Sequence, residues 1–479
     1  MLNHNGFFNT YLVSVALKYF GNRLIGIVAT DSYLRQPDYS SRAENHYYFI
    51  LSDNLYQEDI GILRYIAREF PESLFNFIYE SELADYPPHV IWQFRCSEWI
   101  FKKNNHQIMM PEREVLAEVR QAIFAIYHLS RLYYLRSLNL KTHIWGVRQF
   151  GWSVRYALHC LFNREQLSQF DAQEIADRNW LMDFQHNWME QKKRLTDSES
   201  EFRDAVSRLS EIATRRADAV QKIHPVRDAL VGSSGNDTLS ENIVSIINTV
   251  RDRLARKIGP SLLSFYLQGS AARGDMRPES DIDGFIIVDN INRDTLEIVR
   301  NIQSDNPPVT ILLYSVAEIN HYPQFRRYAL MSGTKLVSGD WRLNFKFDLN
   351  DDIAGIINNI FIVRQVVRAY LIEGCYGQRA HYIAALMAKL IDHGCLRPLL
   401  KLQTGRYPHS RSEVRERFSD TAPLLNVLSF IDNLESNEQA LKDALLKDDV
   451  TRIERLFNEL SEVACLVEIQ VRFFANNPI

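Results

Sequence analysis

The chain has 479 residues, 46% hydrophobic and 24% charged, which is the balance of an ordinary globular protein with two to four compact units that fold without disulfide staples. A formal net charge of -4 and a pI near 6.4 exclude a global basic field for capturing nucleic acid or an anionic membrane; a local basic patch stays open, and with it a nucleic-acid partner. Five scattered cysteines (Cys96, Cys160, Cys375, Cys395, Cys465) form no C-x-x-C pair and no zinc spacing, so reduced core thiols in a cytoplasmic protein are expected.

The first twenty residues lack the basic, apolar and small-residue succession of a signal peptide, and no uninterrupted apolar run approaches the ~18 residues of a membrane helix. A soluble chain without a membrane partner is expected. Short apolar runs bounded by turn formers predict strands at 24–28, 47–51 and 74–79. Helices are predicted across 115–135 and 152–161, and the charged stretch 195–228 reads as a solvated helical connector. Strands recur at 262–267, 285–288 and 309–314, the last behind Pro307 and Pro308. From Asp351 onward, Ile353, Ile356, Ile357, Ile360 and Val363 fall at helical spacing, and further helical segments run through 384–390, 424–431 and 453–473.

This order of elements occurs twice. Phe49-Ile50-Leu51-Ser52-Asp53-Asn54 matches Phe285-Ile286-Ile287-Val288-Asp289-Asn290 at an offset of 236 (290 minus 54). Glu82, Tyr86 and Pro87 fall on Glu318, Tyr322 and Pro323 at the same offset, and Arg131 and Tyr133 match Arg368 and Tyr370 at 237. The expected architecture is a tandem duplication, each copy a mixed-sheet α/β domain followed by an all-α bundle. The boundaries are 1–110 for a degenerate α/β domain, 111–238 for bundle and connector, 239–345 for the chemically intact α/β domain, and 346–479 for the second bundle.

The informative stretch is Leu267-Gln268-Gly269-Ser270-Ala271-Ala272-Arg273-Gly274, followed by Ser280-Asp281-Ile282-Asp283-Gly284 running into a strand. Glycine then serine at a strand end lets the backbone approach a ligand closely, and the hydroxyl with adjacent N–H groups can hold phosphate oxygens. Aspartates at i and i+2 on a strand point to one side, where both carboxylates can share a hard divalent cation, Mg2+ or Mn2+. Together they can assemble a nucleoside triphosphate with its metal.

This pattern resembles the DNA polymerase β nucleotidyltransferase superfamily, whose signature is an apolar strand, Gly-Ser, about a dozen residues, then Asp-x-Asp on the next strand; the likeness covers residues 262–289. A helical bundle behind the sheet looks most like the antibiotic and minimal nucleotidyltransferases. The resemblance implies transfer of a nucleoside monophosphate from a triphosphate, ATP first, to an acceptor hydroxyl with release of pyrophosphate. Asp281 and Asp283 would be catalytic and metal-binding, and Gly269, Ser270, Arg273, Ser280 and Lys389 nucleotide-binding. Arg364, Arg368 and Tyr382 are further candidates for the phosphates. The family's third carboxylate is missing: Thr310 stands where it belongs, with Asp305 and Glu318 flanking the strand as substitutes. In the first half, Asp31-Ser32 stands near the Gly-Ser position, and the 236 offset sets Asn45 and Tyr47 opposite Asp281 and Asp283, while a shifted gap brings in Glu44. No Asp-x-Asp appears there, so that copy is expected to be non-catalytic. Asp392 and His393 read as a helix end. The expected acceptor is a small molecule; an acceptor on protein or transfer RNA, and a non-catalytic nucleotide-binding or antitoxin-like regulator, are the alternatives.

Overall fold

The computed structural model describes residues 4–30, 45–52, 54–71, 73–85, 94, 98–104, 122–123, 126–137, 140–162, 170–223, 241–273, 281–306, 308–320, 334–343, 349–373, 377–405, 408, 411–420, 423–429 and 450–476. The first sheet contains β1 (Leu24–Thr30), β2 (Asn45–Leu51), β3 (Ser73–Tyr79) and β4 (Glu98–Lys102), in the order β3-β2-β1-β4. The second contains β5 (Leu262–Leu267), β6 (Ile282–Val288), β7 (Val309–Ser315) and β8 (Lys335–Gly339), in the order β7-β6-β5-β8. Strand directions also match. The outer pair β2–β3 is parallel, like β6–β7, and every other neighbouring pair is antiparallel. The fold is therefore a mixed four-stranded sheet written twice, with helices around each copy.

The chain divides into two compact units, but not at its midpoint. One comprises Met1–Glu112 and Asp348–Ile479; the other is Arg113–Phe347. Chain order sets the helices after Asp351 behind the second sheet; in the structure they bury the first. Phe49, Phe75 and Phe77 share a core with Ile356, Ile360, Val363 and Val367 of the helix Leu349–Glu373 and with Leu460 and Val467 of the helix Val450–Asn476. Segment 353–373 of the former, with mean hydropathy 1.2, is apolar enough to cross a membrane by length and composition, yet 72% of it is buried as the central helix of this core. The second sheet is served by helices of the first half. Tyr127 joins Tyr266, Phe285, Ile287 and Tyr314 in one cluster, and the helix Glu199–Ile223 packs Phe202, Val206, Leu209 and Ile212 inward. The predicted solvated connector is thus corrected: its apolar residues recur at helical spacing and form a buried face.

The same ion pair locks both units. Arg131 donates to both carboxylate oxygens of Glu318 at 2.9 and 2.6 Å and to the Leu313 carbonyl at 3.4 Å, while the Ser315 N–H donates to Glu318 at 3.1 Å. Arg368 donates to both oxygens of Glu82 at 2.7 Å and to the Phe77 carbonyl at 3.3 Å, while the Tyr79 N–H donates to Glu82 at 3.0 Å. Each arginine comes from the helices of one half and each glutamate from the short helix that follows the third strand of the other. Two bidentate bonds satisfy the buried charges in a geometry that lysine could not reproduce.

These fixed points also correct the repeat register. Glu82 and Glu318 set the offset between β3 and β7 at 236, but Asn45 pairs with Ser73 where Ile282 pairs with Val309, so β2 and β6 are related by 237 (282 minus 45). Burial agrees: Tyr48 and Ile50 cluster with Ile78 and Leu83, as Phe285 and Ile287 do with Tyr314 and Ile319. The sequence match at 236 is one residue out, and a one-residue slip turns every side chain to the opposite face. Asp283 therefore corresponds to His46, not Tyr47; Asp281 corresponds to Glu44, which lies outside the described residues.

Candidate active site

Strand β6 begins at the second of three adjacent positions that matter, Asp281, Ile282 and Asp283, and its amino end is held from both sides. The Gln268 N–H donates to the Asp283 carbonyl at 2.9 Å, and the Ile282 N–H donates to the Pro308 carbonyl at 2.6 Å. Ile282 is buried, Asp283 is half-buried and Asp281 is exposed, so the alternation of the strand sends the carboxylates away from the apolar side of Ile282. Gly284 then allows close packing: a Cβ there would lie 2.8 Å from the Tyr266 carbonyl oxygen.

Beside this strand, β5 ends at Leu267 and the chain turns into a short helix, Gly269–Arg273. Gly269 takes φ +68°, a left-handed conformation natural to glycine, and a Cβ at this point would sit 3.5 Å from Asp283 Oδ2. Ser270 follows half-buried. The turn leaves a cradle against the Asp283 carboxylate that any side chain at 269 would begin to fill.

Electrostatics single out the same place. Burial, together with the negative charge of Asp281, pushes the Asp283 carboxyl up to about 6, while Arg136 pulls it the other way. The Asp281 charge repels that of Asp283, which lies against the turn, and a divalent cation would relieve both the repulsion and the cost of burying charge. The donor set, hard oxygen ligands with an open side, suits Mg2+ or Mn2+.

Across the parallel register Asp283 faces Thr310 on β7, so the third-carboxylate position holds a hydroxyl. Neither substitute takes over. Glu318 is wholly buried and committed to Arg131, and Asp305, at the end of the helix Arg293–Asp305, pairs with Arg253. Among the described residues no group of three or more His, Cys, Asp or Glu side chains is arranged to hold a metal. Of the other candidates, Arg273 closes the short helix and Ser280 lies outside the described residues.

Lys389 and Tyr382 lie on the helix Gly377–Ile391 and, like Arg364 and Arg368, belong to the unit of the first sheet. Arg368 is buried on Glu82, and Arg364 pairs with Glu468, which gives both structural work. Asp392 and His393 lie in a π-turn that continues into the helix Arg397–Thr404, with Asp392 buried against Arg397 at 3.2 Å. The positive charge that sequence reasoning did not anticipate near Asp283 is that of Arg136, which precedes the motif by more than a hundred positions.

Residues 247–336, which span β5 to β7 and the whole turn, match the family model for the nucleotidyltransferase domain. The second half of the chain contains a nucleotidyltransferase domain. Among solved structures, spectinomycin adenyltransferase AAD(9) from Enterococcus faecialis, determined with ATP and spectinomycin, matches at 14% identity over 46% of this chain and 99% of that one. The TM-score is 0.30. No curated protein matches the chain in sequence.

Proposed function

We propose that this nucleotidyltransferase domain is an active, metal-dependent enzyme that moves a nucleoside monophosphate from a triphosphate, ATP first, to a hydroxyl of a small acceptor. The observation that carries the reading is Asp283 set against the Gly269 turn with Asp281 two residues before it, whose charge helps raise the Asp283 carboxyl to about 6. Gly269 lets the polyphosphate approach the backbone, and Ser270 with neighbouring N–H groups holds its oxygens. Asp281 and Asp283 would hold Mg2+ or Mn2+, which would supply charge neutralisation on the phosphates. The acceptor oxygen attacks the α-phosphorus, the bond to the β-phosphate oxygen breaks, pyrophosphate leaves, and the hydroxyl proton passes to solvent. A slightly acidic chain suits a cationic acceptor in the cytoplasm better than a polyanion.

Thr310 in place of a third acid favours a second reading, a non-catalytic nucleotide-binding regulator. One experiment separates the two. Each labelled triphosphate is incubated with Mg2+ or Mn2+ and a panel of hydroxylated acceptors, including cationic antibiotics, a protein extract and transfer RNA. Acceptor-dependent pyrophosphate release supports transfer; tight binding without release from any mixture replaces it with the regulatory reading.

A further inference from the structure

The helix Val450–Asn476 carries two apolar faces, and the core of its unit uses one. Leu460, Val463, Val467 and Val471 point inward and are buried with the residues of the first sheet. On the opposite side Leu466, Ile469 and Phe473 stand 40%, 67% and 63% exposed. Their spacing of 3 and 4 residues, continued upstream by the exposed Glu462, is that of a heptad seam. Positions 462, 466, 469 and 473 therefore form one line along the helix, about 16 Å long.

The other long helix shows what a solvated face looks like. In Glu199–Ile223, of the unit Arg113–Phe347, Phe202, Val206, Leu209 and Ile212 take the inward side. At the same spacing on the outer side stand Asp204, Arg208, Glu211 and Arg215. All four are in ion pairs: Asp204 with Arg293, Arg208 and Arg215 with Asp177, and Glu211 with both arginines. Where that helix presents charge, 462–473 presents three large apolar side chains in a row. Contiguous exposed apolar surface of this kind marks a contact.

Charge says what covers it. The seam is acidic at its amino end, where Glu462 makes no hydrogen bond or ion pair among the described residues. It is basic at its carboxyl end, where Arg472 flanks Phe473, 47% exposed and bonded one turn back to Glu468 at 2.6 Å. Two such seams laid antiparallel, with a two-fold axis between Leu466 and Ile469, set Leu466 of each copy on Ile469 of the other. The same axis brings Phe473 and Arg472 of each copy onto Glu462 of the other. A parallel pairing would set Glu462 on Glu462 and Arg472 on Arg472, so the charges select the antiparallel one. An anionic lipid surface would be repelled by the carboxylate that lies in line with the apolar residues. The seam is complementary to itself.

We infer that segment 462–473 is an interface at which two copies of this chain pair, helix against helix, antiparallel about a two-fold axis. The interface goes beyond nucleotide transfer and falls on the unit that lacks the Asp-x-Asp, Met1–Glu112 with Asp348–Ile479. The experiment is sedimentation velocity of the full chain over a range of concentrations, with circular dichroism to show that each variant is folded. The wild type should sediment as a dimer. Ile469→Glu, which sets a charge in the central layer, should raise the dissociation constant by about a hundredfold or more. Glu462→Arg and Arg472→Glu should each raise it by about tenfold, and the two together should return it to within about threefold of the wild type. A wild type that is monomeric at every concentration overturns the inference, and one that is monomeric yet floats with phospholipid vesicles assigns the seam to a lipid surface instead. A dimer unchanged by Ile469→Glu places the contact on another face, and a double charge variant no tighter than the single ones overturns the antiparallel pairing.

Discussion

The two sheets agree where they are locked and differ where they could react. Around Arg131–Glu318 and Arg368–Glu82 the hydrogen bonds repeat almost distance for distance, down to the carbonyl each arginine reaches on the third strand. At the amino end of the central strand the copies diverge: Asp283 faces Thr310 in one, and His46 faces Leu74 in the other. His46 is buried 4.6 Å from the Tyr48 ring, while Asp283 is half-buried and crowded by a second acid. The clamp is present in both copies and buried in each, as a structural lock would be. The proposed chemistry falls on the few positions where the copies disagree.

The sharpest way to break this contrast is to remove one carboxylate. On the proposed function, Asp281→Asn or Asp283→Asn should lower transfer by about a thousandfold or more, since each would lose a metal ligand with little change in volume. His46→Asn should leave the rate of pyrophosphate release at the wild-type level. Substantial turnover in a folded Asp283→Asn protein would abolish the distinction between the sheets.

Next come the clamps. Glu318→Gln leaves Arg131 charged and wholly enclosed, and should cost its unit about 3 to 5 kcal/mol in denaturant unfolding. Glu82→Gln should cost less, because the Glu82 side chain keeps 18% exposure and water can share the loss. Equal costs would mean that the two locks are insulated alike.

Gly269→Val forces a β-branched residue to φ +68° and sets its Cβ against Asp283, so about 1 to 2 kcal/mol of strain is added where the phosphates approach. Triphosphate affinity should fall with it. Ser270→Ala should weaken triphosphate binding with a smaller change in thermal midpoint; unchanged affinity in both variants would move the phosphates elsewhere.

The smallest effect is a pH signature. Because the folded-state value of Asp283 lies above that of an unfolded carboxylate, its ionisation destabilises the metal-free fold as pH rises from the ordinary value, 3.8, to about 6. Metal-free Asp283→Asn should therefore melt above the wild type at pH 7 and converge with it below pH 3.8. Metal affinity of the wild type should decline as pH falls through about 6, where protons compete for the carboxylate. A constant gap in melting temperature across this range would remove the charge-crowding argument.

Much of this was legible in the residues. Six strands announce themselves as apolar runs, and Gly269-Ser270 with Asp281-x-Asp283 marks the turn and the acids directly. The edge strands Glu98–Lys102 and Lys335–Gly339 do not, since their short, part-exposed stretches mix charge with apolar residues. Register was misread because Phe49 and Phe285 are identical residues one position out of step, and only strand pairing reveals which face each takes. The exchange of helices was hidden for a different reason: chain order says nothing about which helix covers which sheet. Its trace was present in the recurrence of Arg131 and Arg368 beside Glu82 and Glu318, charges that need partners once buried.

Exchanged helices also set a timetable for synthesis. The unit Arg113–Phe347 is contiguous and can close as soon as its last strand emerges, whereas Met1–Glu112 must wait for residues after Asp348. At ribosomal speeds of roughly 5 to 20 residues per second, those 236 residues (348 minus 112) amount to a delay on the order of 10 to 50 s. Throughout that interval the sheet bearing Phe49, Phe75 and Phe77 lacks the helix that will cover it, which makes the nascent first segment a natural client for chaperones while the contiguous unit can already fold.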